Sequence, residues 1–215
     1  EAKEILVQFN YQVDQNGVAR PIDTWRLDPD AFFHTNAALD FTLVKVKGRP
    51  FIVRPPIPPP PPPIRPGAAV TEEDAATVDE EAFPPLPILV RYPGWRWGFL
   101  QLPTAAVAFA VNQALNCVQH PAGRMKEVAV QQNEVTHVYA DRVHYRTDTE
   151  PGSSGSPVLD DAWNLVALHH AAGDPDPAHP GSWLDNEGMR LDSIVTHLRA
   201  QFGTTNPGLL AALRI

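Results

Sequence analysis

The segment Gly152-Ser153-Ser154-Gly155-Ser156-Pro157 runs without a break into Val158-Leu159, a polar turn at Asp160-Asp161, and then Leu165-Val166-Ala167-Leu168. Two short apolar runs about a polar turn predict a β-hairpin. A glycine- and serine-rich stretch is often a flexible linker, but a linker does not lead straight into a buried hairpin. Glycine takes positive φ without steric penalty, so this stretch folds into a tight turn with the Ser154 hydroxyl at its tip. The N–H groups of Gly152 and Ser154 then converge as a nest that holds a developing oxyanion. A serine so placed is the nucleophile of acyl-transfer chemistry. Gly155 leaves room for a substrate, and Pro157 opens the following strand where no ladder donor is lost. Folding the hairpin about position 162 sets Ser154 opposite His169 and His170.

The rest of the chain reads as short strands. Candidates lie at 5–11, 41–46, 88–90, 115–118, 127–131 and 135–139, with turn-rich sequence at Asp14-Gln15-Asn16-Gly17 and Leu27-Asp28-Pro29-Asp30. Helical spacing appears clearly only late, where Leu191, Ile194, Val195, Leu198 and Phe202 recur at three- and four-residue steps. That predicts one amphipathic C-terminal helix, with Asp192 near its start. Many short strands, one late helix and no alternation of strand with helix point to an all-β barrel architecture. The 215 residues allow one large or two small cores.

Composition excludes several classes. Prolines number 24, and Pro58 to Pro63 is an unbroken run that favours polyproline II and cannot pair in a sheet. The acidic tract after it lacks apolar surface, so 54–87 reads as a solvent-exposed insertion, with docking of a proline-recognising partner as the sharper alternative. Glu72, Glu73, Asp74, Asp79, Glu80 and Glu81 are six of the 25 acidic residues, and without them 19 face 17 basic ones. The body is therefore near neutral, with none of the clustered basic surface that nucleic acid requires. No apolar run approaches a membrane span. The single Cys117 excludes an internal disulfide framework and a cysteine-rich zinc site, and its apolar strand pattern reads as a buried, inert thiol. The start at Glu1-Ala2-Lys3-Glu4 shows neither an initiator methionine nor a signal peptide, so the chain is expected to begin downstream of its translation start. A cytoplasmic location is slightly favoured over secretion.

Several separated segments together resemble one family, the trypsin-like (chymotrypsin-fold) serine peptidases, in the bacterial branch that includes glutamyl endopeptidases. They are Leu39-Asp40-Phe41-Thr42-Leu43-Val44, Gln119-His120-Pro121-Ala122-Gly123-Arg124-Met125-Lys126, Gly152 to Pro157, Val166-Ala167-Leu168-His169 and Asn186-Glu187-Gly188-Met189-Arg190, in the family's order. The resemblance implies two antiparallel six-stranded β-barrels, the first N-terminally incomplete in this chain, followed by a C-terminal helix. The first would occupy 1–104 and carry the insertion; the second would occupy 105–215. It implies Ser154 as nucleophile, Gly152 and Ser154 as oxyanion donors, and Asp40 as the buried carboxylate that orients the catalytic imidazole. It also implies that His169 and Thr149 bind an acidic substrate side chain, more strongly if His169 is protonated. Ala171 and Ala172 depart from the glycines usual there.

The general base is the missing part. Only His34 precedes Asp40, by six positions, and the family's order makes it a loop histidine rather than the base. The expected base lies upstream of residue 1, on a segment of the same precursor. Among the other histidines, His120 reads as structural, His137 and His144 as strand residues, His179 as a loop residue and His197 as helical. No spacing resembles a metal triad, so neither a metal nor an organic cofactor is expected. The expected partners are a protein or peptide substrate, that upstream segment, and a regulatory domain or partner protein. The competing reading is an inactive pseudopeptidase that binds peptides as a scaffold.

Overall fold

The computed structural model of the chain describes residues 4–52 and 88–215. The insertion expected at 54–87 lies outside the described residues. The N-terminal part supplies β1 (Leu6–Phe9), β2 (Asp23–Arg26), β3 (Phe33–Asn36), β4 (Phe41–Val44), β5 (Arg49–Ile52) and β6 (Ile88–Arg91). They pair in order as three two-stranded antiparallel sheets. The helix α1 (Pro93–Trp97) follows.

The C-terminal part holds β7 (Asn116–Gln119), β8 (Glu127–Ala129), β9 (Val135–Val138), β10 (Arg142–Tyr145), β11 (Pro157–Leu159), β12 (Leu165–Ala172) and β13 (Asn186–Arg190). These form one seven-stranded antiparallel sheet in the order β8-β7-β11-β12-β13-β10-β9, curled into a half-barrel. The chain ends in α2 (Leu191–Phe202) and α3 (Pro207–Leu213). The protein is therefore mostly β with a helical C-terminus. In place of six strands in each half, the described residues give seven in one sheet and three separate pairs.

Several elements were not legible in the sequence, among them β2, β3, β5, β13, α1 and α3. β2 and β3 flank the turn-rich segment 27–30 between the two strands expected in the N-terminal part, and tertiary contacts hold β2. Trp25 of β2 is buried beneath the Arg49 guanidinium, 3.8 Å from its ring centroid, and Trp97 Nε1 donates to Asp23 Oδ2 at 3.0 Å. The helix α3 starts at Pro207, which has no N–H to leave unsatisfied there, and the Asn206 side chain accepts the Leu209 N–H at 3.2 Å.

Two apolar clusters fill the interior. One joins Leu115, Val135, Val143, Tyr145, Val158, Val166 and Ala167 of the C-terminal part. The other packs α2, through Leu191, Ile194 and Leu198, against Leu159, Leu165 and Met189, and it includes Phe41 from β4. Phe41 thus ties the N-terminal hairpin β3–β4 to the C-terminal sheet. Deleting a buried phenylalanine ring typically costs about 3–5 kcal/mol. We therefore expect Phe41→Ala to lower the unfolding free energy by that order in urea titration, whereas the exposed Val18→Ala stays within about 0.5 kcal/mol of the parent.

Candidate active site

The nucleophile hairpin forms as its sequence dictates. Val158 faces Ala167 and Pro157 faces Leu168, and the Asp160 carboxylate closes the turn by accepting the N–H groups of Ala162 and Asn164 at 2.9 and 2.8 Å. The same alignment continues into the glycine turn, where Gly155 N donates to His169 O at 2.7 Å and His169 N to Ser156 O at 2.9 Å. Gly152 and Gly155 take φ of 102° and 83°, in the left-handed region. A Cβ on Gly152 would also stand 3.3 Å from the His120 carbonyl oxygen. The N–H groups of Ser153 and Ser156 are spent on Glu150 O and Ser153 O at 3.0 Å each. Among the described residues, those of Gly152 and Ser154 donate to no protein oxygen, which leaves them available to an anion beside the exposed Ser154 hydroxyl.

Beyond His169 the strand β12 bulges. Its pairing with β13 runs His169 to Gly188 and then Ala171 to Glu187, so His170 is the extra residue. A bulge re-aims a side chain, and here it turns the His170 ring between two carboxylates. Nδ1 lies 2.8 Å from Asp40 Oδ2 and Nε2 lies 2.7 Å from Glu187 Oε1. Two acceptors on the two ring nitrogens favour the doubly protonated ring. Burial alone would push its pKa down, but the hydrogen bonds and charges of Glu187 and Asp40 prevail and hold it above the ordinary value near 6.5. Glu187 is held below the usual carboxylate range despite its burial, through His170, His144 and Arg142.

Ser154 Oγ donates to the backbone oxygen of His170 at 3.3 Å, not to its ring. Asp40 and Ser154 therefore meet at one residue. An imidazolium with both nitrogens donating has no lone pair, so His170 is no general base for Ser154. Asp40 itself is not the buried carboxylate expected of its role. Its side chain is 64% exposed, because it ends a turn at φ 38° and projects from the mouth of β4 while Phe41 behind it is buried.

A cleft of about 1140 Å³ opens beside Ser154 and is lined by His169, Thr149, Asn186 and Arg146 among others. His169 is 5% exposed, and burial, with the neighbouring His170 charge, pushes its pKa down to about 4. It is neutral at neutral pH, so its recognition of an acidic group rests on hydrogen bonding rather than charge. Tyr145 Oη lies 2.9 Å from its Nδ1, and the fully enclosed phenol is held far above its ordinary pKa and keeps its proton. A phenol that donates to Nδ1 fixes the tautomer with Nε2–H free to donate. Thr149 lines the same cleft, but its hydroxyl donates to Asn186 Oδ1 at 2.6 Å, so it is not the free donor the sequence implied. Arg146 adds a cation that sequence reasoning did not single out.

The remaining histidines fall elsewhere. His34 lies within β3, not in a loop, and its Nε2 stands 3.0 Å from His197 Nε2 on α2, against Phe41 and Phe202. Among the described residues it makes no hydrogen bond to Asp40 or Ser154. His120 stacks on Tyr11, and His179 pairs with Asp176. Burial raises the Cys117 thiol to about 11, which keeps it protonated. Strand pairing sets His137 directly opposite His144, and with Asp174 and Asp185 they form a group whose ligand atoms all lie within 4.8 Å. This juxtaposition is a product of strand register, and linear spacing does not show it.

The trypsin-like peptidase domain matches residues 1–168, most of the chain, and the chain belongs to that family. It is similar to the uncharacterized protein y4fB of Sinorhizobium fredii (strain NBRC 101917 / NGR234), with 26% identity over 235 residues that cover 93% of this chain and 30% of that protein. It is also similar to the secreted RxLR effector protein 73 of Plasmopara viticola, with 37% identity over 95 residues that cover 39% of this chain and 23% of that protein. The chain thus spans less than a third of either relative's length.

The adjacent histidines are shifted in opposite directions from the ordinary value near 6.5. His170 binds its proton more tightly folded than unfolded, so its contribution to stability is complete below about pH 6.5 and is lost as pH rises through its folded value. His169 does the reverse, and its contribution is lost as pH falls from 6.5 towards 4. Histidine NMR titration should place His169 near 4 and His170 above 6.5. Asp40→Asn and Glu187→Gln should each lower the His170 value; an unchanged value in both would refute the clamp.

Proposed function

We propose that the chain is the peptidase part of a serine endopeptidase that cleaves proteins or peptides through an acyl-enzyme. Ser154 is the nucleophile, the N–H groups of Gly152 and Ser154 hold the oxyanion, and Asp40 orients the catalytic imidazole. That imidazole comes from a segment upstream of residue 1, which also completes the first of two barrels spanning 1–104 and 105–215. The observation that carries the reading is the convergence of Asp40 and Ser154 on His170. A base arriving between them finds an exposed carboxylate on one side and an exposed hydroxyl on the other.

The chemistry divides among these groups. The incoming imidazole takes the Ser154 proton as Oγ attacks the scissile carbonyl, and Asp40 stabilises the resulting cation. The two unpaired N–H groups meet the developing negative charge. Removing one such donor typically costs about 10²–10³-fold in kcat. The leaving amine takes the proton back, and water then releases the acyl group by the same steps. Acyl transfer of this kind calls on no organic cofactor.

We place the enzyme in the glutamyl-endopeptidase branch. Neutral His169, with Nε2–H free to donate, and Arg146, both lining the cleft, favour an acidic side chain at the cleavage site, while Thr149 and Asn186 shape the pocket. Because the chain spans so little of its relatives, a regulatory domain or partner acting on it belongs to the same proposal.

A fluorophosphonate probe tests the reading. Protein that carries the upstream segment should be labelled on Ser154, and Ser154→Ala should abolish labelling. The 215-residue chain alone should react at least about 10³-fold more slowly, in line with loss of a triad member. Equal labelling of the two forms would contradict an external base. No labelling of either would identify a pseudopeptidase.

A further inference from the structure

We infer that His137, His144, Asp174 and Asp185 form a binding site for a zinc-type divalent transition-metal ion. The four residues come from separate places in the chain. His137 and His144 are cross-strand partners on β9 and β10, Asp185 immediately precedes β13, and Asp174 follows β12. Their ligand atoms lie within 4.8 Å of one another. Two ligands bound tetrahedrally to one zinc at about 2.0–2.1 Å stand about 3.4 Å apart. His144 Nδ1 is 3.4 Å from Asp185 Oδ1 and 3.8 Å from Asp174 Oδ2, and His137 Nδ1 is 3.9 Å from Asp185 Oδ2. These separations are too long or too poorly aligned for hydrogen bonds and close to those of ligands around a shared ion.

The decisive atom is His144 Nδ1. The side chain is 5% exposed, and this nitrogen is buried without a hydrogen-bond partner. Its other nitrogen, Nε2, lies 2.8 Å from Glu187 Oε2. A carboxylate there fixes Nε2–H, so Nδ1 points a lone pair at two carboxylates. Lone pair against anion is repulsive unless a cation lies between them, and an unsatisfied buried polar atom typically costs about 1–3 kcal/mol. Carboxylate to imidazole to open nitrogen is the arrangement that supports a metal-bound histidine.

The surroundings complete the case. Asp185 is aimed by its own partners, since Oδ2 accepts the Thr136 hydroxyl at 2.5 Å and Oδ1 accepts the Asp174 N–H at 2.9 Å. Gly173 keeps the space clear, because a Cβ there would stand 2.2 Å from Asp185 Oδ1 and 3.0 Å from His144 Nδ1. Asp185 and His144 form the enclosed half of the site, while the His137 and Asp174 side chains are 58% and 50% exposed and offer a path in from solvent. Two imidazoles with two carboxylates suit zinc, cobalt or manganese better than magnesium or calcium, which take oxygen ligands alone. Glu187 holds His144 with one oxygen and His170 with the other, so one side chain joins this site to the clamp on Asp40.

The test uses the 215-residue chain dialysed against EDTA and titrated calorimetrically with zinc chloride. One equivalent should bind, and the melting temperature should rise with zinc but not with magnesium. Asp185 and His144 are buried and their variants risk misfolding, so the exposed His137→Ala and Asp174→Asn carry the test. Each should keep the metal-free melting temperature and weaken zinc binding at least tenfold, while His34→Gln should bind zinc as the parent does. The site is refuted if the parent shows no saturable zinc binding, if both exposed-ligand variants bind as tightly as the parent, or if His34→Gln abolishes binding.

Discussion

Burial of Phe41 is the constraint on which the site depends. The ring lies in the cluster built by Leu159, Leu165, Met189 and α2, so the residue before it must stand close to the C-terminal sheet. That residue is Asp40. The ion pair with His170 directs the carboxylate but does little to hold the hairpin, because the Asp40 side chain is 64% exposed. Exposed pairs contribute about 0–1 kcal/mol, against about 3–5 for a buried aromatic ring. Apolar packing brings the hairpin β3–β4 to the C-terminal sheet, and the contact with His170 directs the Asp40 carboxylate.

That division of labour explains how much of the site the sequence revealed. The turn around Ser154 was legible because glycines with positive φ and a hairpin closed by Asp160 are local features. Asp40 was legible because an apolar strand stands behind it. The partners of these residues were not, since register decides them. A bulge at His170 turns a side chain that simple alternation would place elsewhere, and only the pairing of β9 with β10 sets His137 against His144. The carboxylate of Asp40 was expected to be buried, and it is exposed because nothing local fixed its depth.

Glu187 is the residue whose importance was least visible in one dimension. It follows an asparagine and precedes a glycine in β13, and by sequence it is one acidic residue among 25. In the fold it reaches from His170 on β12 to His144 on β10 and also meets Arg142 at 2.9 Å. Four charged or chargeable groups on one carboxylate network tie the nucleophile's surroundings to the four-residue cluster beyond them. The His34–His197 contact, by contrast, is an element-packing feature between β3 and α2, with burial and the neighbouring ring lowering the His34 pKa.

Direct detection of the covalent intermediate is the most searching measurement. Protein containing the upstream segment would be mixed with an activated ester of an acidic acyl group, quenched in acid within the first turnover, digested and weighed. The account predicts one acyl group on the peptide that contains Ser154. An adduct on any other residue, or turnover with no adduct, would contradict it.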